Sequence, residues 1–181
     1  MKTVILISCA LFASTFLQAQ ENNNNNRNNF ERENLNFRIG PEVGFPLGKM
    51  NNTQGLGIGG SALIDIPVAR RFSLIFYAGY VSFAGDKMPA SDKKYSPTSV
   101  VPLRTGFNYK LTPNFYATAQ LGEVTAKFLY VSKAGVSQAL GLGYFNSKLD
   151  ISARWDHQYV HGGLGSFNVK LAYVIEVGLK K

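Results

Sequence analysis

From Asn36 onward, apolar and small or polar residues alternate with a period of two, the signature of strands with one apolar face. Eight such segments follow one another. The first, Asn36–Leu47, sets Phe37, Ile39, Val43 and Phe45 against Arg38, Gly40, Glu42 and Gly44. The others are Leu56–Ile66, Phe72–Phe83, Ser99–Leu111, Asn114–Lys127, Val136–Phe145, Lys148–Tyr159 and Ser166–Leu179. Three connections are tight: Pro67–Arg71, Thr112-Pro113 and Asn146-Ser147. The alternating ones are longer: Gly48–Gly55, Gly85–Thr98, Tyr130–Gly135 and Val160–Gly165.

Alternation alone does not say which face points out. A soluble ligand-binding barrel would turn the apolar face inward and show water a charged exterior. Here the polar parity is mostly Gly, Ser, Ala, Thr and Asn, which suits a narrow, crowded lumen. The apolar parity is bulky and often aromatic near strand ends, as a lipid-facing band requires. Hydrocarbon tolerates no open sheet edge, so spanning strands must close into a barrel. The pattern predicts an all-β protein: a membrane-spanning, antiparallel, up-and-down barrel of eight strands. Short periplasmic turns and long extracellular loops place both termini in the periplasm.

The N-terminus and the composition agree. Residues 1–19 read as a signal peptide, with Lys2 before an apolar run from Val4 to Leu17 and a small residue, Ala19, at the cleavage point. The competing lipobox reading, Leu6-Ile7-Ser8-Cys9, places the cysteine inside the apolar run. Cys9 is the one cysteine, so its removal leaves no internal disulfide. Residues 20–35 are an Asn-rich tract with little to bury, read as a disordered periplasmic spacer before the barrel at 36–181. No later stretch is long and apolar enough for a helical span. Charged residues make up 17%, against roughly 25% in soluble domains. The net charge of +8 suggests nucleic acid only for a protein that meets it; for an exported chain, anionic lipopolysaccharide is the more plausible counter-charge.

The stretches Ile39–Gly48, Arg71–Tyr80, Leu111–Tyr116 and Gly141–Tyr144 resemble those of the small, eight-stranded, porin-like outer-membrane β-barrels of Gram-negative bacteria. The resemblance runs from about Asn36 to Leu179 and implies a location in the outer membrane. It identifies architecture and leaves activity open, since members have diverse tasks. Such barrels usually finish on an aromatic residue, whereas this chain finishes Gly178-Leu179-Lys180-Lys181.

The inward parity carries Arg38, Arg104, Lys110, Arg154 and Lys170 against Glu42, Asp65, Asp150, Asp156 and Glu176. Positive and negative charges balance. Eight strands leave an interior that side chains fill, and charges there must pair. This predicts a plugged, salt-bridged lumen, with Arg38 meeting Glu176 near the periplasmic end and Glu42 meeting Arg104 or Arg154 at mid-height. The alternative is a narrow channel along the same groups.

On the outward parity, Glu123, Gln138 and His157 interrupt the apolar face at similar heights, beside Trp155 and Tyr159 as interfacial anchors. Lys127 fits the same level. Some barrels of this class modify lipid A, and His157 with Glu123 supplies a base and an orienter for acyl-ester hydrolysis. The nucleophile is missing, because His157-Gln158-Tyr159 lacks a serine at the needed spacing and Ser166 falls near the rim on the other parity. Contact with lipopolysaccharide sugars or phosphates is the third reading of this patch. His161 has no second His or Cys beside it, and no metal or cofactor motif is present. The leading expectation is a non-enzymatic barrel with a structural or surface-interaction role. Its second extracellular loop, 85–98, offers Lys87, Lys93, Lys94 and Tyr95 to a partner.

Overall fold

In the computed structural model, the described residues are 35–88, 93–128, 131–160 and 162–177. The expected signal peptide and all but the last residue of the spacer, with His161 and the chain end at Leu179–Lys181, lie outside them. Eight strands run in chain order: β1 Leu35–Leu47, β2 Gln54–Ala69, β3 Phe72–Gly85, β4 Thr98–Lys110, β5 Phe115–Phe128, β6 Val131–Phe145, β7 Leu149–Tyr159 and β8 Leu164–Val177. Each pairs antiparallel with its neighbours, and β1 pairs with β8, so the sheet is a closed barrel. Strands of 11 to 16 residues exceed the ~10 that a tilted strand needs to cross a bilayer.

The register gives the barrel its stagger. From Phe37, partners run through Ile64, Phe76, Thr105, Leu121, Gln138, His157 and Gly165 and return to β1 at Leu47. One circuit climbs ten residues, which tilts the strands by roughly 40° from the axis.

The faces follow the sequence parity. Phe76, Leu103 and Ile151 point outward and are 46%, 59% and 48% exposed, while Arg104 and Arg154 are buried inside. One end has short turns. Arg70-Arg71 joins β2 to β3. Thr112 Oγ1 accepts from the Phe115 amide between β4 and β5, and Asn146 Oδ1 accepts from the Leu149 amide between β6 and β7. These are side-chain turns of the Asx and ST kind. The other end carries a 3₁₀ turn at Gly48–Asn52, the long β3–β4 connection and the β7–β8 connection.

Two connections differ from expectation. Of the predicted loop Tyr130–Gly135, the described residues from Val131 onward are strand: β6 starts at Val131, which pairs with Phe128. Polar Ser132 and Lys133 read as loop, but they are exposed residues of a hairpin that outruns its neighbours. The predicted turn at Pro67 is also strand, with an irregularity between Pro67 and Ala69.

The lumen changes character along its length. Toward the short-turn end and through the middle it is polar and charged. Toward the long-loop end it is apolar, where Met50, Val81, Phe83, Val100, Val124, Ala126, Val160 and Leu164 form one buried cluster. Glycine makes room for the largest inward side chains. A Cβ on Gly143 would fall 2.2 Å from the Tyr116 ring, and one on Gly57 would fall 2.6 Å from the Phe83 ring.

Candidate functional site

Two tiers of buried charge cross the lumen. In the tier nearer the short-turn end, Arg38 from β1 forks between two acids. It pairs with Asp65 of β2 and, at 2.6 Å, with Asp150 of β7. Asn108 donates to Asp65 (3.0 Å), and the Tyr116 hydroxyl donates to Asp150 (2.7 Å). Lys170 Nζ stands 3.4 Å from the second oxygen of Asp150. The Arg38 guanidinium also lies over the rings of Tyr116 and Phe145, at 5.1 and 4.7 Å.

In the second tier, Arg154 of β7 reaches Glu42 of β1 at 2.5 Å, and its Nε stands 3.6 Å from Asp156. Arg104 of β4 pairs with the other oxygen of Asp156 at 2.9 Å. Tyr77 of β3 ties these together: its hydroxyl donates to Glu42 and accepts from Arg154, both at 2.9 Å. The Arg104 and Arg154 guanidinium carbons lie 4.5 and 4.4 Å from the centre of its ring. Charges this deep are stable only when paired and hydrogen-bonded, and the eight tier residues balance in sign.

The sequence-predicted lumen residues thus divide. Arg38, Glu42, Asp65, Arg104, Asp150, Arg154, Asp156 and Lys170 are buried together. Glu42 has Arg154 as its partner. Lys110 is half-buried at the short-turn mouth, beside a cavity of about 10 Å³ that Arg38 and Asp65 also line. The expected Arg38–Glu176 pair does not form. Glu176 is exposed beside Asn36, and Arg38 turns into the lumen to acids on the adjoining β2 and on β7. A second cavity of about 10 Å³ lies between the upper tier and the apolar cluster. By this measure each cavity holds about one water.

The parity of β3 and β5 turns Tyr77 and Tyr116 inward, but parity does not show that their hydroxyls bind the ion pairs. Sequence reasoning missed the apolar cluster. Val81, Phe83, Val100, Val124 and Ala126 all fall on the inward parity of their strands, so extending that parity to the strand tops is the signal that finds them.

On the outer face, Gln138 and His157 are direct cross-strand partners. The Gln138 amide donates to the Tyr159 hydroxyl at 3.1 Å. His157 lies in an aromatic ladder on β7, 5.8 Å from Trp155 and 4.7 Å from Tyr159 between ring centres. Glu123 sits a step away, opposite Val136 and Leu103. No hydrogen bond links it to His157 among the described residues. Ser166 Oγ is inside the lumen and accepts from Asn168, whereas His157 faces out opposite Gly165. The two cannot form a nucleophile–base pair, and the patch is not assembled as a hydrolase site.

At the long-loop end, Lys87 and Lys94 face each other as an isolated bridge within the β3–β4 connection. That connection is pinned to the barrel by Asp86 N to Thr53 O, at 3.0 Å, and by the Gln54 amide to Ser96 O, at 3.1 Å. No cluster of His, Cys, Asp or Glu suited to a metal ion occurs among the described residues.

No protein-family model and no curated protein matches this sequence. Solved structures do resemble it. Ail, the attachment invasion locus protein of Yersinia pestis, in a phospholipid bilayer nanodisc, has a TM-score of 0.56 at 10% identity, covering 79% of this chain and 100% of Ail. The N-terminal β-barrel domain of Pseudomonas aeruginosa OprF has a TM-score of 0.55 at 13% identity, covering 79% of this chain and 99% of that domain. Pseudomonas aeruginosa OprG follows with 0.50 and 12%, covering 80% and 97%.

Proposed function

The fold is therefore that of the small eight-stranded outer-membrane β-barrels, and from that premise we propose that this chain is an integral outer-membrane protein with a surface-interaction role. The observation that carries the reading is the inversion of its faces. Bulky apolar side chains cover the outside, and the charges are paired in the middle. A water-soluble barrel with this exterior would expose an apolar surface far beyond what monomers tolerate. The short-turn end, with both ends of the sheet, faces the periplasm, and the long-loop end faces outward. Trp155 and Tyr159 anchor the outer interface, while Gln138 and His157 meet lipopolysaccharide headgroups there.

The lumen is plugged. Two tiers of ion pairs and an apolar cluster stand in series, and an ion passing through would have to break the pairs and then cross a dry segment. The outward loops carry the activity, with exposed Lys49, Lys87, Lys94 and Lys127 at that end favouring anionic partners. Among the structural neighbours, Ail has been crystallised with the heparin analogue sucrose octasulfate, at a TM-score of 0.52 to this chain.

The test combines fractionation with electrical recording. The folded protein is expected in the outer-membrane fraction with heat-modifiable gel mobility, and in planar bilayers it gives no stable conductance steps. Recovery in the soluble fraction refutes the membrane reading. Reproducible steps refute the plug.

A further inference from the structure

The lipid-facing surface is not bulky everywhere. Two hollows, of about 460 and about 540 Å³, lie side by side on the outer faces of β1–β5 and share Ala62 and Ala78 as their floor. The register explains this apolar groove. One hydrogen-bonded row runs through Ile39, Ala62, Ala78 and Leu103, so two short side chains sit between two long ones. The row through Pro41, Gly60 and Tyr80 continues the low floor toward the long-loop end, and Ile64 beside Phe76 closes it below. Inside a bilayer, apolarity alone attracts nothing, because every neighbour is equally apolar. Close packing and hydrogen bonds decide what stays bound, and short side chains permit the close approach.

Polar groups head the groove. Tyr80 lines it, and the Tyr80 hydroxyl lies 3.2 Å from Ser99 Oγ. Ser99 donates to Ser82 Oγ, also at 3.2 Å, so Tyr80 donates to Ser99 and the Ser82 O–H is left to donate outward. Lys127 is exposed and is the cross-strand partner of Ser99 and Ser132, so hydroxyls and not acids stand opposite its ammonium. Hydroxyls and an ammonium sharing one outward face suit a phosphate.

The height suits it too. Leu103, Glu123, Val136 and Tyr159 form one row, and a row climbs ten residues in a full circuit, so Tyr159 stands about four residues higher than Leu103. Ser99 lies four residues from Leu103 toward the long-loop end and so shares the level of this interfacial anchor. Glu123 is the acid on this face. It is exposed opposite Leu103 and accepts no hydrogen bond among the described residues. A carboxylate at the edge of hydrocarbon needs donors, and the hydroxyls of a sugar supply them.

We propose that this face holds one phosphorylated, acylated sugar lipid of the outer leaflet: an acyl chain in the groove, a phosphate on Ser82, Ser99 and Lys127, and sugar hydroxyls toward Glu123. The proposal deepens the lipopolysaccharide reading and rests on the outward orientation of the long-loop end. It places the bound lipid on β1–β5, away from Gln138 and His157.

Lipid A is the probe. Dimyristoyl phosphatidate keeps a phosphate and acyl chains but has no sugar. The full chain, folded in detergent and checked by heat-modifiable mobility, is titrated with each lipid and read by native mass spectrometry. One lipid A is expected to stay bound, about tenfold more tightly than phosphatidate because Glu123 gains donors. Glu123→Leu should erase that preference. Ala62→Leu/Ala78→Leu fills the groove and should weaken lipid A by about tenfold, whereas Ala153→Leu, the same change on the outer face of β7, should leave it unaltered. Ser82→Ala/Ser99→Ala/Lys127→Gln should weaken both lipids. All these side chains face outward, and heat-modifiable mobility reads each variant as folded before titration.

Equal retention of the two lipids by the unaltered protein overturns the proposal. So does a loss in Ala153→Leu as large as that in Ala62→Leu/Ala78→Leu, which marks ordinary lipid contact around the barrel. Labelling of Lys87→Cys in intact cells by a membrane-impermeant maleimide reads orientation separately. An unlabelled cysteine sinks the outward-facing reading while leaving the titration result standing.

Discussion

Replacing Arg154 tests whether the charge tiers hold the barrel together. Its guanidinium is 2% exposed and meets Glu42 at 2.5 Å, the Tyr77 hydroxyl at 2.9 Å and Asp156 at 3.6 Å. In Arg154→Leu, Asp156 keeps Arg104, but Glu42 keeps only the Tyr77 hydroxyl. A fully buried carboxylate without a cation costs about 3–5 kcal/mol. Removing the acid as well, in Glu42→Leu/Arg154→Leu, restores neutrality and leaves the Tyr77 hydroxyl without either partner. That orphan costs about 1–3 kcal/mol. Adding Tyr77→Phe removes the last unpaired group, so the triple variant should return to near the parental stability. The order expected is a large loss, a smaller loss and then little loss as substitutions accumulate.

The measurement is denaturant unfolding of the reconstituted protein, followed by fluorescence of Trp155, the one tryptophan in the chain. Trp155 neighbours Arg154 but faces outward, so it reports unfolding without lining the altered site. If Arg154→Leu costs less than about 1 kcal/mol, or if the losses simply add across the series, the tier is not an interdependent network and the reasoning fails.

Other consequences follow from the same geometry. Gly143→Val drives side-chain atoms into the Tyr116 ring and should destabilise the barrel by about 1–3 kcal/mol, with Tyr116→Ala in the same chain recovering part of that loss; the same unfolding assay reads both. Phe83→Ala empties the centre of the apolar cluster and should cost about 3–5 kcal/mol, whereas Phe76→Ala on the outer face should cost clearly less. Trp155 fluorescence should be quenched by lipids brominated near the headgroup end of the chain more than by those brominated at the chain terminus; the reverse order would place the aromatic ladder away from the interface.

The parity of the strands made the faces legible, because a side chain on a strand has only two directions in which to point. Parity separated Phe76, Leu103 and Ile151 from Arg104 and Arg154, and the small residues that share the second parity assigned it to the lumen. Partners across the lumen were harder, since parity says nothing of what lies on the far wall. Arg38 sits next to the β8 strand that carries Glu176, so sequence neighbours across the seam suggested a pair. The arginine instead forks to Asp65 on the adjoining β2 and to Asp150 on β7, two strands away, and the stagger of ten residues sets which acids share its height. Hairpin ends were least legible. Ser132 and Lys133 are polar because they stand in water, and polarity near a turn resembles loop even where the ladder continues. The groove on the outer face could not be read at all, because only the register of the paired strands sets Ala62 beside Ala78.

The hydrogen bonds between β1 and β8 join the earliest strand made by the ribosome to the latest. Until residue 177 has been delivered, two rows of unsatisfied amides and carbonyls remain at opposite borders of a growing sheet, each able to capture a stray strand. Synthesis cannot complete this structure progressively from one end. The whole chain must be made and kept apart from others like it before the sheet can close, and its zipping shut is the final event of assembly.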